Sequence, residues 1–409
     1  MAGTADYVDV FSLLPVEIGF GILSYLTNDY VKDFALVSKA AHTLAVSRLF
    51  RTVDFEPTRF RHFEPGGILH HLCPHVREIY VPFHPSKTPY AGHLPQFFDH
   101  LDRFPHIISL RFYMNLTREA EVSIIATIFA RLASSRHSHN LIKVYFTLGS
   151  SYWAKLDSFQ PDDNQFFVDH MTSGISDSSI PPLPNLEEVT VYHEEWYRGT
   201  SFLFPYLASL PKLRKLALQN LAFRDFERCY KAQSAESQAY HPEPMFPNLT
   251  KLSISNKVFP FGEQLRFIVR MFPNLRKFSY ELLDNYTYSM VGDIHAIFNE
   301  YKDLMRLTSL RDITVPWPVL IRYGETSFRD RRRLDRSDLD AWIMEFLKSG
   351  LPLERVVFQG NLTLMYKFRG YITGTCYVKR KASGTELEWD EKKKNPYGPQ
   401  FEVTHGPSG

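Results

Sequence analysis

Nine times along this chain an apolar residue is followed by two variable positions, a second apolar residue, one variable position and a third apolar residue. The phrase reads VREIYV from residue 76, IISLRF from 107, LIKVYF from 141, LEEVTV from 186, LRKLAL from 213, LTKLSI from 249, LRKFSY from 275, LRDITV from 310 and LERVVF from 353. Its closing alternation predicts a strand with one apolar and one variable face. Successive phrases start 26 to 45 residues apart, room enough to return through a helix and lay the next strand parallel. Helical spacing does recur between them: Leu94, Phe97, Phe98 and Leu101; Leu265, Ile268, Val269 and Phe272; Leu339, Ile343, Phe346 and Leu347. Ser337 and Gly350 are the expected start and stop of the last of these helices. Strand, loop and helix in repetition predict an α/β fold over residues 56–370, with a parallel sheet on the concave face of a solenoid.

If the apolar residues of each phrase face the core, the variable ones line the open sheet face in columns. One column reads Glu78, Ser109, Lys143, Glu188, Lys215, Lys251, Lys277, Asp312 and Arg355, and its neighbour Tyr80, Arg111, Tyr145, Thr190, Ala217, Ser253, Ser279, Thr314 and Val357. Lys215, Lys251 and Lys277 then form a ladder of like charge about 4.8 Å per step, a candidate contact for an acidic or phosphorylated target segment. Arg111, Tyr113, Tyr145 and Tyr192 on the same face are of the types enriched at binding hot spots. Solvated lysines and ordinary surface aromatics would give the same pattern.

Residues 11–55 follow a different rule. Pro15 suits a helix start, Ile18, Ile22 and Leu26 with Leu23 beside them form an apolar stripe, Asn28 or Asp29 offers a cap for a second helix, and Ser38 for a third. A trio this small needs something to pack on. The blocks L-P-x-E-I, I-L-S-Y-L, L-V-S-K and L-F-R, in that order over about 45 residues, resemble the F-box family. The resemblance implies docking to the small Skp-type adaptor of cullin-RING ubiquitin ligases through Leu14, Pro15, Ile18, Ile22, Leu23, Leu26, Leu36 and Val37. Gly19 and Gly21 depart from a good helix and cost about 1 kcal/mol each against Ala. The repeats behind the module resemble irregular leucine-rich repeats, although the asparagine or cysteine usual after the phrase is mostly absent, Asn220 and Asn256 being near matches. Together the two resemblances imply a substrate-recognition subunit of an SCF-type ligase, whose repeat face captures a target protein. A non-ligase F-box scaffold, or a plain repeat-type interaction protein, is the alternative, as is a non-repeat α/β domain for the fold.

Composition narrows the partners. Forty-seven Lys plus Arg against 45 Asp plus Glu give a net charge of +2, which offers nucleic acid or anionic membrane no global attraction. No run approaches the ~18 apolar residues of a membrane span, and no leader pattern opens the chain, so cytoplasm or nucleus is expected. Three cysteines, Cys73, Cys229 and Cys376, lie far apart, arguing against disulfides or a zinc site. No phosphate-binding glycine loop, nucleophile elbow or HExxH string occurs, and His137-x-His139 lacks a third ligand nearby, so neither catalysis nor a cofactor is expected. The insertions 154–184 and 223–247 are expected as loops, RDRRRLDR at 329–336 as a charged loop, and 371–409 as a hairpin cap with a tail.

Overall fold

The structure, a computed structural model, describes residues 10–83, 93–115, 118–149, 180–193, 203–219, 245–256, 262–282, 289–291, 299, 301–316, 319–321, 332–333, 336–361, 371–381 and 384–394. The chain divides into two units, Met1–Glu187 and Glu188–Gly409. The fold is α/β, and all nine phrases are strands, each starting at the third residue of its phrase.

The first unit opens with four helices, α1 (Val10–Leu13), α2 (Val16–Tyr25), α3 (Asn28–Ala35) and α4 (Lys39–Leu49). Strands β1 (Thr52–Asp54), β2 (Glu78–Phe83), β3 (Ser109–Asn115) and β4 (Lys143–Gly149) follow in parallel order, with α5 (Pro57–Phe60), α6 (His93–Leu101) and α7 (Arg118–Ser134) between them. β1 carries no complete phrase and escapes the sequence pattern; it lies inside the segment read as the helical module. The core is aromatic: Phe97 of α6 meets Phe112 of β3 at 5.7 Å between ring centroids, and Phe129 of α7 meets Phe146 of β4 at 5.4 Å. Such edge contacts add to the ~1.5–3 kcal/mol that burying each ring contributes.

In the second unit β5 (Glu188–His193), β6 (Lys215–Gln219), β7 (Lys251–Asn256), β8 (Lys277–Leu282), β10 (Asp312–Pro316) and β13 (Arg355–Asn361) are parallel neighbours in that order. Helices α8 (Leu203–Ser209), α9 (Gly262–Met271) and α10 (Arg336–Lys348) intervene, and β9 (Ser289–Val291), β11 (Val319–Ile321) and β12 (Arg332–Arg333) pair as a small separate sheet. α10 starts at Arg336, so Ser337 stands within its first turn, and Gly350 ends it at φ +85°, a conformation that favours glycine. The expected C-terminal hairpin is present: β14 (Tyr371–Lys381) runs antiparallel to β13 and to β15 (Gly384–Lys394). Trp389 stacks on Phe358 at 5.9 Å and donates its indole N–H to Asp340 of α10 at 2.7 Å, pinning the cap to the last repeat. Most of each insertion, the tail and most of the arginine-rich loop lie outside the described residues; the ends of the insertions, 180–184 and 245–247, are described and lead into β5 and β7.

Register between repeats is set by two devices. One carbonyl just before each strand accepts two successive N–H groups of the next repeat: Arg77 O from Ile108 and Ser109, Thr250 O from Arg276 and Lys277, Arg276 O from Arg311 and Asp312. An asparagine immediately before the phrase then donates to the carbonyl one repeat back. Asn140 reaches Pro105, Asn185 reaches His139, Asn248 reaches Pro211 and Asn274 reaches Pro247, at 3.4, 2.5, 3.4 and 2.8 Å. The asparagine sought after the phrase therefore has its counterpart before it, in the P-N-L strings at 184, 247 and 273.

Candidate functional site

Two surfaces come from the sequence, and the structure treats them differently. On the N-terminal helices the apolar stripe splits. Leu23 is 1% exposed and forms the trio's own core with Val31 and Ala45, and Leu26, Phe34, Leu44 and Leu49 pack against it. The side chain of Leu23 is thus spent holding α2 to α3 and α4 rather than presented at the surface; the half-buried Leu26 shares that role. Gly19, one turn before Leu23, is buried too, and a Cβ there would stand 2.8 Å from Leu44 Cδ1. Its absence lets α2 approach α4, whereas Gly21 faces open space. Ser38 caps α4 as expected, accepting from Ala41 N at 3.1 Å, while α3 begins at Asn28 itself with Thr27 before it, rather than after an Asn28 or Asp29 cap. Arg48 closes α2 from its C-terminal side, donating to the Leu26 carbonyl at 2.5 Å.

The other members stay outside. Pro15 is exposed and Leu14 half-buried; Ile18, Ile22, Leu36 and Val37 are exposed, Leu36 to 85%. Tyr25 is 90% exposed and continues the line of Ile18 and Ile22 along α2, at i, i+4, i+7; Tyr30, Leu13 and Phe20 are exposed as well. Sequence reasoning missed these four, because only alternation with buried neighbours separates a docking face from a core face. Large apolar groups of this small module are thus left in water.

The sheet face bears out the expected registers. Glu78, Ser109 and Lys143 are aligned in the first unit, and Glu188, Lys215, Lys251, Lys277, Asp312 and Arg355 in the second. In the first unit Arg111 lies over the Tyr145 ring at 4.9 Å and reaches Glu78 at 3.5 Å, while Arg51 reaches the same Glu78 at 3.6 Å. Tyr80 stands in the same row, its hydroxyl pKa pushed up by burial, by Tyr113 and by Asp54. Arg111, Tyr113 and Tyr145 are thus brought together, whereas Tyr192 belongs to the second unit, where it is exposed.

In the second unit Lys215 pairs with Glu188 at 3.4 Å and Arg355 with Asp312 at 3.5 Å. Among the described residues no carboxylate pairs with Lys251 or Lys277, which stand directly opposite each other on β7 and β8. The neighbouring column is less open than expected: Ser279, Thr314 and Val357 are buried, while Ala217 and Ser253 are half-buried. Small or apolar residues in that column were the available signal of a covered strip.

Candidate chemistry is sparse. His137-x-His139 lies in a turn rather than a strand, with His137 buried and His139 exposed, and the described residues contain no group of three metal-ligating side chains. Cys73 and Cys376 are buried, and burial raises both thiols, Cys376 to about 12 with Asp340 adding to the effect, so neither offers a thiolate near neutral pH. No helix among the described residues is long and apolar enough to cross a membrane. The chain matches no protein-family model and no curated protein.

Proposed function

We propose that this protein is the substrate-recognition subunit of an SCF-type ubiquitin ligase: its N-terminal helices are an F-box that binds a Skp-type adaptor, and its sheet face captures a target protein for ubiquitination. The observation that carries the reading is the set of exposed apolar side chains, Ile18 and Ile22 on α2 and Leu36 and Val37 in the turn between α3 and α4, in a module whose L-P-x-E-I and L-V-S-K blocks resemble that family. A helix pair covering them would remove several hundred Å² of apolar surface from water, at ~25 cal/mol per Å².

The protein itself performs no bond chemistry in this scheme. It holds the target beside a ubiquitin-loaded carrier, raising the effective concentration of target lysines there. Co-expression with a Skp-type adaptor tests the first half. The wild-type chain is expected to co-purify with it, and Leu14→Ala with Pro15→Ala to lose the complex. Ubiquitination of a captured protein in the reconstituted ligase then separates a ligase subunit from a scaffold that holds adaptor and client without turnover.

A further inference from the structure

Within the charged column of the second unit, each outer cation is matched by a carboxylate one strand away: Glu188 for Lys215 at 3.4 Å, Asp312 for Arg355 at 3.5 Å. The middle of the column differs: Lys251 has no carboxylate opposite it on either neighbouring strand, and Asp312, which stands opposite Lys277, pairs with Arg355 instead. Lys251 faces Lys215 on one side and Lys277 on the other, three ammonium groups on consecutive parallel strands. Like charges directly opposite one another are destabilising in a sheet, so the arrangement costs the free protein stability. Lys251 is exposed, Lys277 half-exposed, and neither has an ion-pair partner among the described residues. Beside Lys251 stands the half-buried Ser253, a side chain too short to obstruct an approach to its ammonium group, while Ser279 beside Lys277 is buried; the nearest carboxylate along β8, Glu281, lies a further row away, opposite Ser255.

We propose that Lys251 and Lys277 form the recognition point for an acidic peptide segment, which supplies from outside the two carboxylates that the column provides internally at its ends. This rests on the reading of the sheet face as the target-binding surface and names what that face selects. Two separate ammonium groups borne on strands about 4.8 Å apart suit two carboxylates on one segment, each accepting from its own lysine as Glu188 does from Lys215. Lys215, already engaged, sets the edge of the site on the β6 side, and Asp312 repels an acidic segment on the β10 side. The site is therefore two strands wide, and binding relieves the repulsion between its lysines.

The test uses the full-length chain and three fluorescein-labelled synthetic peptides of equal length: one rich in Glu and Asp, its Gln and Asn counterpart, and that neutral peptide carrying a single phosphoserine. Fluorescence anisotropy at low salt is expected to show binding of the acidic peptide at least tenfold tighter than the other two, weakening steeply with added salt. Lys251→Gln with Lys277→Gln is expected to reduce its affinity tenfold or more, and Lys251→Glu to abolish binding while raising the melting temperature. Lys348→Gln, on α10, is expected to change nothing. Binding that survives the double Gln variant, no preference for the acidic peptide, or a preference for the phosphoserine peptide would each overturn the proposal. Adaptor capture, measured on the same preparation, reports separately on the ligase reading: its persistence beside a failed peptide result sinks only this inference.

Discussion

Asn274 shows how much a single side chain contributes to repeat register. Its amide donates to the Pro247 carbonyl of the preceding repeat at 2.8 Å, and Asn140, Asn185 and Asn248 do the same in theirs. Asn274→Ala removes one inter-repeat hydrogen bond and is expected to cost about 1 kcal/mol, read as a lower urea midpoint at unchanged slope. The P-N-L strings were visible in the sequence, but their meaning was not, because an asparagine's partner is a carbonyl some 27 to 46 residues away and only the folded register brings them together. Leu23 and Ile22 make the same point. Adjacent in the chain and equally apolar, they end up in the core and in solvent, respectively. Periodicity finds the stripe; which edge of it faces inward depends on where α4 lies.

At the scale of elements, α2 contains two glycines with different reasons. A Cβ at Gly19 would press on Leu44, while one at Gly21 meets nothing within 4 Å. Gly21→Ala is expected to stabilise the helical module by about 0.5–1 kcal/mol and Gly19→Ala to bring no such gain, as measured by thermal melts of the two variants. The lysine ladder is the sheet's counterpart. Replacing the central Lys251 by Glu turns two repulsive cross-strand neighbours into attractive ones, and is expected to add about 0.5 kcal/mol at low ionic strength and less in salt. The nine strands were legible because a half-exposed strand must alternate, and the phrase encodes that alternation directly. β1 and the small sheet of β9, β11 and β12 were not: strands of two or three residues carry too few positions to show a period.

At the scale of the whole molecule, the first unit carries an acid sensitivity. His137 is buried in it, and neither ring nitrogen has a partner in good hydrogen-bond geometry; Asp102 stands 3.5 Å from Nε2. Burial, and after it Arg136, lower its pKa below 6.5, with Asp102 and the Leu101 carbonyl opposing; His100 is lowered by burial and Arg103. The unfolded chain therefore takes up protons at a higher pH than the folded one. Stability is full above about pH 6.5 and falls as the pH drops through that value toward the lowered folded pKa, by at most about 1.4 kcal/mol per pH unit for each histidine. His137→Gln is expected to flatten this slope, by one proton at most, measured from urea midpoints between pH 5 and 7.5.

On the proposed F-box reading, the exposed apolar residues of the N-terminal module dock a Skp-type adaptor, and because Leu36 and Val37 lie outside the module's core they can be changed without disturbing it. The direct measurement is the dissociation constant of the full-length protein for a Skp-type adaptor, wild type against Leu36→Asp with Val37→Asp, alongside the melting temperature of each. Tight wild-type binding that falls at least a hundredfold in the variant, with the melting temperature unchanged, is the expected result; no binding by the folded wild-type protein, or equal binding by the variant, would contradict adaptor docking at this surface.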